Sequence, residues 1–124
     1  EFRMARRLPS IKALRRKLDL TFSFYIRQRD QGKPCITCGK HAPLQAGHFI
    51  KRQHQATRWD ERNCHGQCVR CNMWLHGNEG AYALALVDKY GRATVDELLL
   101  LKHKTAKLHR ADYEELIRRF SDKS

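Results

Sequence analysis

Two C-x-x-C pairs, Cys35-Ile36-Thr37-Cys38 and Cys68-Val69-Arg70-Cys71, bracket a Gly47-His48 dipeptide and run directly into Asn72. Each pair presents two thiolates from a tight turn, and two such turns supply the tetrahedral sulfur set that structural zinc prefers. Four unrelated buried cysteines are the bland alternative; a thioredoxin-like redox motif needs only one pair, beside a βαβ pattern. An imidazole held firmly between the pairs can take a proton from water, since its ordinary pKa is about 6.5. Phosphodiester cleavage also needs a cation to polarise the phosphoryl oxygen and neutralise the leaving oxygen. Asn72 and His76 stand i, i+4, so on a helix they share a face and could hold one side of such an ion. His65 is a further candidate, whereas His41, His54, His103 and His109 read as surface or filler residues.

These groups need elements to position them. Ser10 caps an amphipathic helix through Ile11, Leu14, Leu18, Phe22, Tyr25 and Ile26, with Gly32 and Pro34 marking its stop. Its other face carries Arg15, Arg16, Lys17, Arg27 and Arg29. Residues 44–50 read as a short strand carrying His48, 51–62 as a basic loop around Trp59, and 63–69 as the returning strand. A helix is expected from Cys71 or Asn72, broken near Gly77 and Gly80. Tyr82, Leu84, Leu86, Val87 and Tyr90 then form a helix apolar on most sides and hence buried. Thr94 with Glu97 reads as a capping box before Leu98–Leu101, and a last helix over 112–120 places Tyr113, Leu116, Ile117 and Phe120 on one face. The fold class is α+β, mainly helical. A zinc-stapled hairpin–helix core (35–78) is flanked by a basic N-terminal helix (4–34) and C-terminal helices (79–124) in a single domain; Glu1-Phe2-Arg3 reads as vector-derived.

The 124 residues carry a formal net charge of +12. The excess is +7 over residues 1–34, +4 over 35–78 and only +1 over 79–124. The first two segments suit an anionic polymer, with Arg15, Arg16, Lys17, Arg27, Lys51, Arg52, Arg58 and Arg62 as candidate DNA contacts. A protein-interaction adaptor would not need that charge. No apolar run approaches the roughly 20 residues that span a bilayer. Paired cysteines with Cys64 left over suit a reducing, cytoplasmic setting better than a disulfide scaffold. No small-molecule cofactor is expected.

His48, Asn63 and Asn72 between two C-x-x-C turns resemble the HNH (ββα-metal) endonucleases. More narrowly, Tyr25-Ile26-Arg27-Gln28-Arg29-Asp30, Pro34-Cys35-Ile36-Thr37-Cys38-Gly39, Ala46-Gly47-His48, Glu61-Arg62-Asn63, His65-Gly66-Gln67-Cys68-Val69-Arg70-Cys71-Asn72, Gly77-Asn78 and Val95-Asp96-Glu97 resemble the phage lambda NinG (Rap) family of recombination endonucleases. The resemblance implies a phage-encoded enzyme in the bacterial cytoplasm. It would cleave branched recombination intermediates such as Holliday junctions and D-loops with a divalent ion, Mg²⁺ or Mn²⁺, beside the structural Zn²⁺. Carried over, His48 is the general base, Asn63 braces the hairpin and Asn72 binds the catalytic ion. HNH enzymes commonly place Asp directly before the base histidine; here that residue is Gly47, so Asp60, Glu61, His65, His76 or water must complete the ion's shell, with Glu61 and His65 flanking Asn63. Resolving a four-way junction takes two opposed nicks, which suggests a two-fold dimer through Leu98–Leu101. The alternative is a zinc-stapled branched-DNA-binding module without catalysis.

Overall fold

A computed structural model describes residues 7–124, which leaves the Glu1-Phe2-Arg3 segment and Met4 outside the described residues. Helix α1 (Ile11–Arg29) starts where Ser10 Oγ accepts from the Ala13 amide at 3.0 Å, as its sequence predicts. Its buried stripe of Leu14, Leu18, Phe22 and Ile26 packs on α5 (Arg110–Lys123), which contributes Tyr113, Ile117 and Phe120. Phe22 meets Phe120 edge-on at 4.8 Å, and each such buried apolar side chain contributes about 1.5–3 kcal/mol. A second cluster of Phe49, Ile50, Tyr82, Leu86, Val95 and Leu98 joins α3 (Glu79–Tyr90) to α4 (Arg92–Lys102).

Between the helices lies one antiparallel hairpin, β1 (Leu44–His48) with β2 (Cys64–Cys68), in which His48 pairs with Cys64 and Gly47 with His65. Both strands are shorter than expected: the Phe49 amide still donates to the Asn63 carbonyl at 2.9 Å, but Phe49 and Ile50 then turn into the second core and Asn63 ends a 3₁₀ turn over Glu61–Asn63. One further helical turn, α2 (Gln55–Arg58), lies in the connection. The end of α1 grips β2 directly. Asp30, 4 % exposed, accepts from the Gly66 amide at 2.8 Å, while Arg29 reaches the Cys64 carbonyl at 2.7 Å. Burial would raise the Asp30 carboxyl, but Arg29 and the Gly66 amide hold it below the usual range.

Three local expectations are corrected. The helix after the second cysteine pair is a π-helical turn, Arg70–Trp74, ended by left-handed backbone at His76 (φ 50°), Gly77 (φ 93°) and Asn78 (φ 48°). Asn72 and His76 are therefore not neighbours on one helical face. Thr94 makes no capping box, because α4 begins two residues earlier after Gly91; Thr94 Oγ1 donates instead to the Tyr90 carbonyl, and Glu97 pairs with Arg62. The helix carrying Leu84 is not buried all round: Tyr82 and Leu86 are covered, whereas Leu84 is 73 % exposed. No helix among the described residues is long and apolar enough to cross a membrane.

Candidate functional site

The four sulfurs of Cys35, Cys38, Cys68 and Cys71 all lie within 4.8 Å of one another, and Cys38 Sγ is 3.7 Å from Cys68 Sγ. A tetrahedron with zinc–sulfur bonds of about 2.3 Å has sulfurs roughly 3.8 Å apart, so the set fits zinc. Cys35 is prepared as an anion: burial opposes ionisation, but the Thr37 hydroxyl at 3.2 Å and backbone amides bring its pKa down to about 6. Cys64 stands apart, fully buried on β2, where burial raises its pKa far above an ordinary thiol. Among the described residues, this is the one cluster of three or more Cys, His, Asp or Glu side chains able to hold an ion.

Beside the cluster, a hollow of about 380 Å³ is lined by Ala46, His48, Lys51, Arg52, Gln53 and Asn72. His48 Nε2 lies 2.8 Å from the Arg58 carbonyl, which can only accept, so Nε2 carries the proton and Nδ1 the lone pair. Nδ1 is 3.9 Å from Cys64 Sγ, a long contact to a weak donor. Burial, helped by the Arg52 charge, brings the His48 pKa down to about 4 against the support of the Arg58 carbonyl. The ring is therefore neutral at pH 7. Asn72 Nδ2 donates to Gln45 Oε1 at 2.8 Å, which leaves the amide oxygen as its free acceptor.

Asn63 is wholly buried and braces the loop between the strands. Its Oδ1 accepts from the Ile50 amide at 2.8 Å, and its Nδ2 donates to the carbonyls of Ile50 (3.1 Å) and Thr57 (3.0 Å). Those bonds hold the segment whose Arg58 carbonyl orients His48. His65 lies opposite Gly47, away from the hollow, in a directional chain. Tyr82 Oη donates to the Gly47 carbonyl at 2.7 Å, so it accepts from His65 Nδ1 at 3.2 Å, and His65 Nε2 then accepts from Tyr90 Oη at 2.8 Å. Burial, with Arg29 nearby, lowers the His65 pKa to about 3. Its place is that of a positioning residue for β1.

The other sequence candidates are dispersed. Glu61 lines a larger hollow of about 470 Å³ with Trp59, Asp60, Arg62 and Arg119, which contains neither His48 nor Asn72. There Glu61 pairs with Lys123 at 3.3 Å. His76 is exposed on the left-handed turn, where its carbonyl accepts from Lys51 Nζ. Of the basic candidates, Arg16, Lys17, Arg27, Lys51 and Arg52 are exposed. Arg15 reaches Tyr113 Oη at 3.3 Å; Arg58 and Arg62 are already paired with Asp19 and Asp60. Asp19 also binds Arg52 (2.8 Å) and Trp59 Nε1 (3.0 Å), tying the basic loop to α1.

Gly47 is required by space rather than by backbone strain. A Cβ there would lie 1.9 Å from Gln67 Oε1, so the Gln67 amide fills the room that any side chain at position 47 would need. Gln67 Nε2 donates to the Gly77 carbonyl (2.9 Å) and Thr37 Oγ1 (3.2 Å), while its buried Oε1 has no hydrogen-bond donor. Sequence reasoning missed Gln67, Tyr82, Tyr90 and Asp19. A glycine within a strand does signal a close approach, though not the partner that makes it.

A family model described as "Bacteriophage Lambda NinG protein" matches residues 4–124. Among curated relatives, "Protein ninG" of Salmonella phage P22 is 43% identical over 77 residues, covering 60% of this chain and 38% of the relative. "Protein ninG" of Escherichia phage 933W (42% identical) and of Escherichia phage lambda (40% identical) match over the same length and the same shares. The matched part is thus little more than a third of each relative. No solved structure matches the chain. With its whole described length inside the family match, the chain belongs to the bacteriophage NinG family.

Proposed function

We infer that the chain is a structure-selective, HNH-type DNA endonuclease domain that hydrolyses phosphodiester bonds in branched DNA such as Holliday junctions and D-loops. The observation that carries this reading is the hollow in which His48 and Asn72 stand beside Lys51 and Arg52 with no carboxylate in its lining. Lys51 and Arg52 would hold the phosphate oxygens, and neutral His48 would take the proton from the attacking water through Nδ1. A bound phosphate would offset the Arg52 charge, the lesser cause of the lowered His48 pKa beside burial, and so shift it upward. Zn²⁺ on the four thiolates would clamp the base of the hairpin. A divalent ion, when bound, would neutralise charge on the phosphate and leaving oxygen. Asn72 offers it an amide oxygen, but Glu61, His65 and His76 do not line the hollow, so the described side chains form no preformed cage.

The alternative, branched-DNA binding without cleavage, draws support from that missing carboxylate and from the thiol facing His48 Nδ1. Four-way junction and linear duplex are incubated with the protein in Mg²⁺ or Mn²⁺, with His48→Ala alongside. Junction cutting that disappears in the variant supports the enzyme, and equal cutting by the variant removes His48 as base. Tight junction binding without cutting in any ion selects the alternative. A second copy could pack on α4, where Leu99 and Leu100 are 40% and 71% exposed; sedimentation that reports a monomer both free and on junction would exclude it.

A further inference from the structure

The π-helical turn that carries Asn72 displays a run of apolar side chains to solvent. Met73 is 59% exposed, Trp74 76% and Leu75 41%, with Val69 at 40% just before them. An exposed tryptophan and methionine side by side are unusual on a small basic domain unless something covers them. The turn is firmly held. The Gly77 amide donates to the Cys71 carbonyl at 2.8 Å, Asn78 Nδ2 approaches Cys71 Sγ at 3.6 Å, and Gln67 holds the Gly77 carbonyl. The backbone under Trp74 is therefore set before any ligand arrives.

The surrounding charge selects the ligand. No Asp or Glu occurs over residues 31–59 or 62–78, while Lys40, Lys51 and Arg70 are exposed there. The exposed leucines of α3 and α4 contrast with this, since those helices also carry Glu79, Asp88, Asp96 and Glu97. An exposed indole on a turn that Lys51 Nζ touches at the His76 carbonyl, in a stretch with Arg70 and no carboxylate from 62 to 78, fits a nucleobase flanked by phosphates better than it fits another protein's core.

We propose that Trp74, supported by Met73, stacks on an unpaired or unstacked base at the branch point and so supplies preference for branched over linear DNA. The proposal rests on the DNA-binding reading above. Asn72 lines the hollow, and Trp74 stands two residues further along the same short turn on a different side of it, so the two are reached by DNA that diverges around the turn rather than by one straight arm. In a continuous duplex the bases are stacked on one another and the ring has no partner.

The test measures binding of labelled four-way junction and matched linear duplex at one salt concentration, without divalent ion, by wild type, Trp74→Ala and Trp74→Phe. Trp74→Ala should weaken junction binding by roughly 5- to 150-fold, the range for loss of one stacked base, with duplex binding unchanged within about twofold. Trp74→Phe should recover most of the loss. Because Trp59 is buried (6% exposed) and Trp74 is not, junction should also shield the exposed indole from acrylamide quenching, and duplex should not. Unchanged junction affinity in Trp74→Ala overturns the stacking role while leaving the DNA reading intact. Equal loss on both DNAs overturns it as a source of selectivity. A change in sedimentation alone would assign the face to a second copy, and wild type that binds neither DNA would defeat both readings together.

Discussion

Asn63→Ala should destabilise the domain more than any exposed substitution near the site. The change removes an acceptor from the Ile50 amide and donors from the carbonyls of Ile50 and Thr57, where Ile50 is 4% exposed and Thr57 0%. A buried group left unpaired costs about 1–3 kcal/mol, and carbonyls are partly relieved by their second lone pair. Counting the amide fully and the carbonyls in part gives about 3–5 kcal/mol, against a usual total of about 5–15 kcal/mol. With a urea m-value near 2 kcal/mol/M, the unfolding midpoint should drop by roughly 2 M when measured with zinc in excess. Asn63→Asp provides a signed check. It keeps the acceptor but loses the donors, and burial places its folded pKa above the unfolded value of about 3.9. Its deficit against wild type should therefore be smallest below about pH 4 and grow as pH rises through the folded pKa. An Asn63→Ala loss below about 1 kcal/mol would show that the loop holds without its brace, and the account of how His48 is oriented would fail with it.

Gly47→Ala should cost about 1–3 kcal/mol by pressing a methyl group into Gln67, and Gln67→Ala should relieve that clash in the double variant; additive losses in a urea titration would contradict the contact. His48 and His65, lowered to about 4 and about 3, bind protons more readily when unfolded, so stability is complete above about pH 6.5 and falls as pH drops toward those values. Replacing His65 with Gln should flatten that fall, as read from melting curves between pH 7 and 4. Metal analysis should find about one zinc per chain, and Cys68→Ser should abolish it and melt the hairpin, whereas Cys64→Ser should retain the metal. Equal zinc in wild type and Cys68→Ser would reject the four-thiolate site.

What the sequence determined by itself follows from short-range rules. The C-x-x-C spacing sets two thiolates on one turn, Ser10 before an apolar 3.6-residue stripe sets α1, and the cluster of Lys and Arg sets the sign of the surface. Each depends on residues close together in the chain or on a sum over it. The hairpin carrying His48 between the cysteine pairs was legible for the same reason, although its ends were not, because Phe49 and Ile50 turn into a core built by α3 and α4 and the Asn63 side chain closes on the connecting loop. Only the tertiary structure decided which candidates meet. It set His48 beside Asn72, Lys51 and Arg52, sent Glu61 to α5, and buried His65 between two tyrosines. It also placed Gln67 where a side chain at position 47 would stand. Those choices turn on contacts between residues far apart in the chain, where a shift of one residue in strand register sends a side chain to the opposite face.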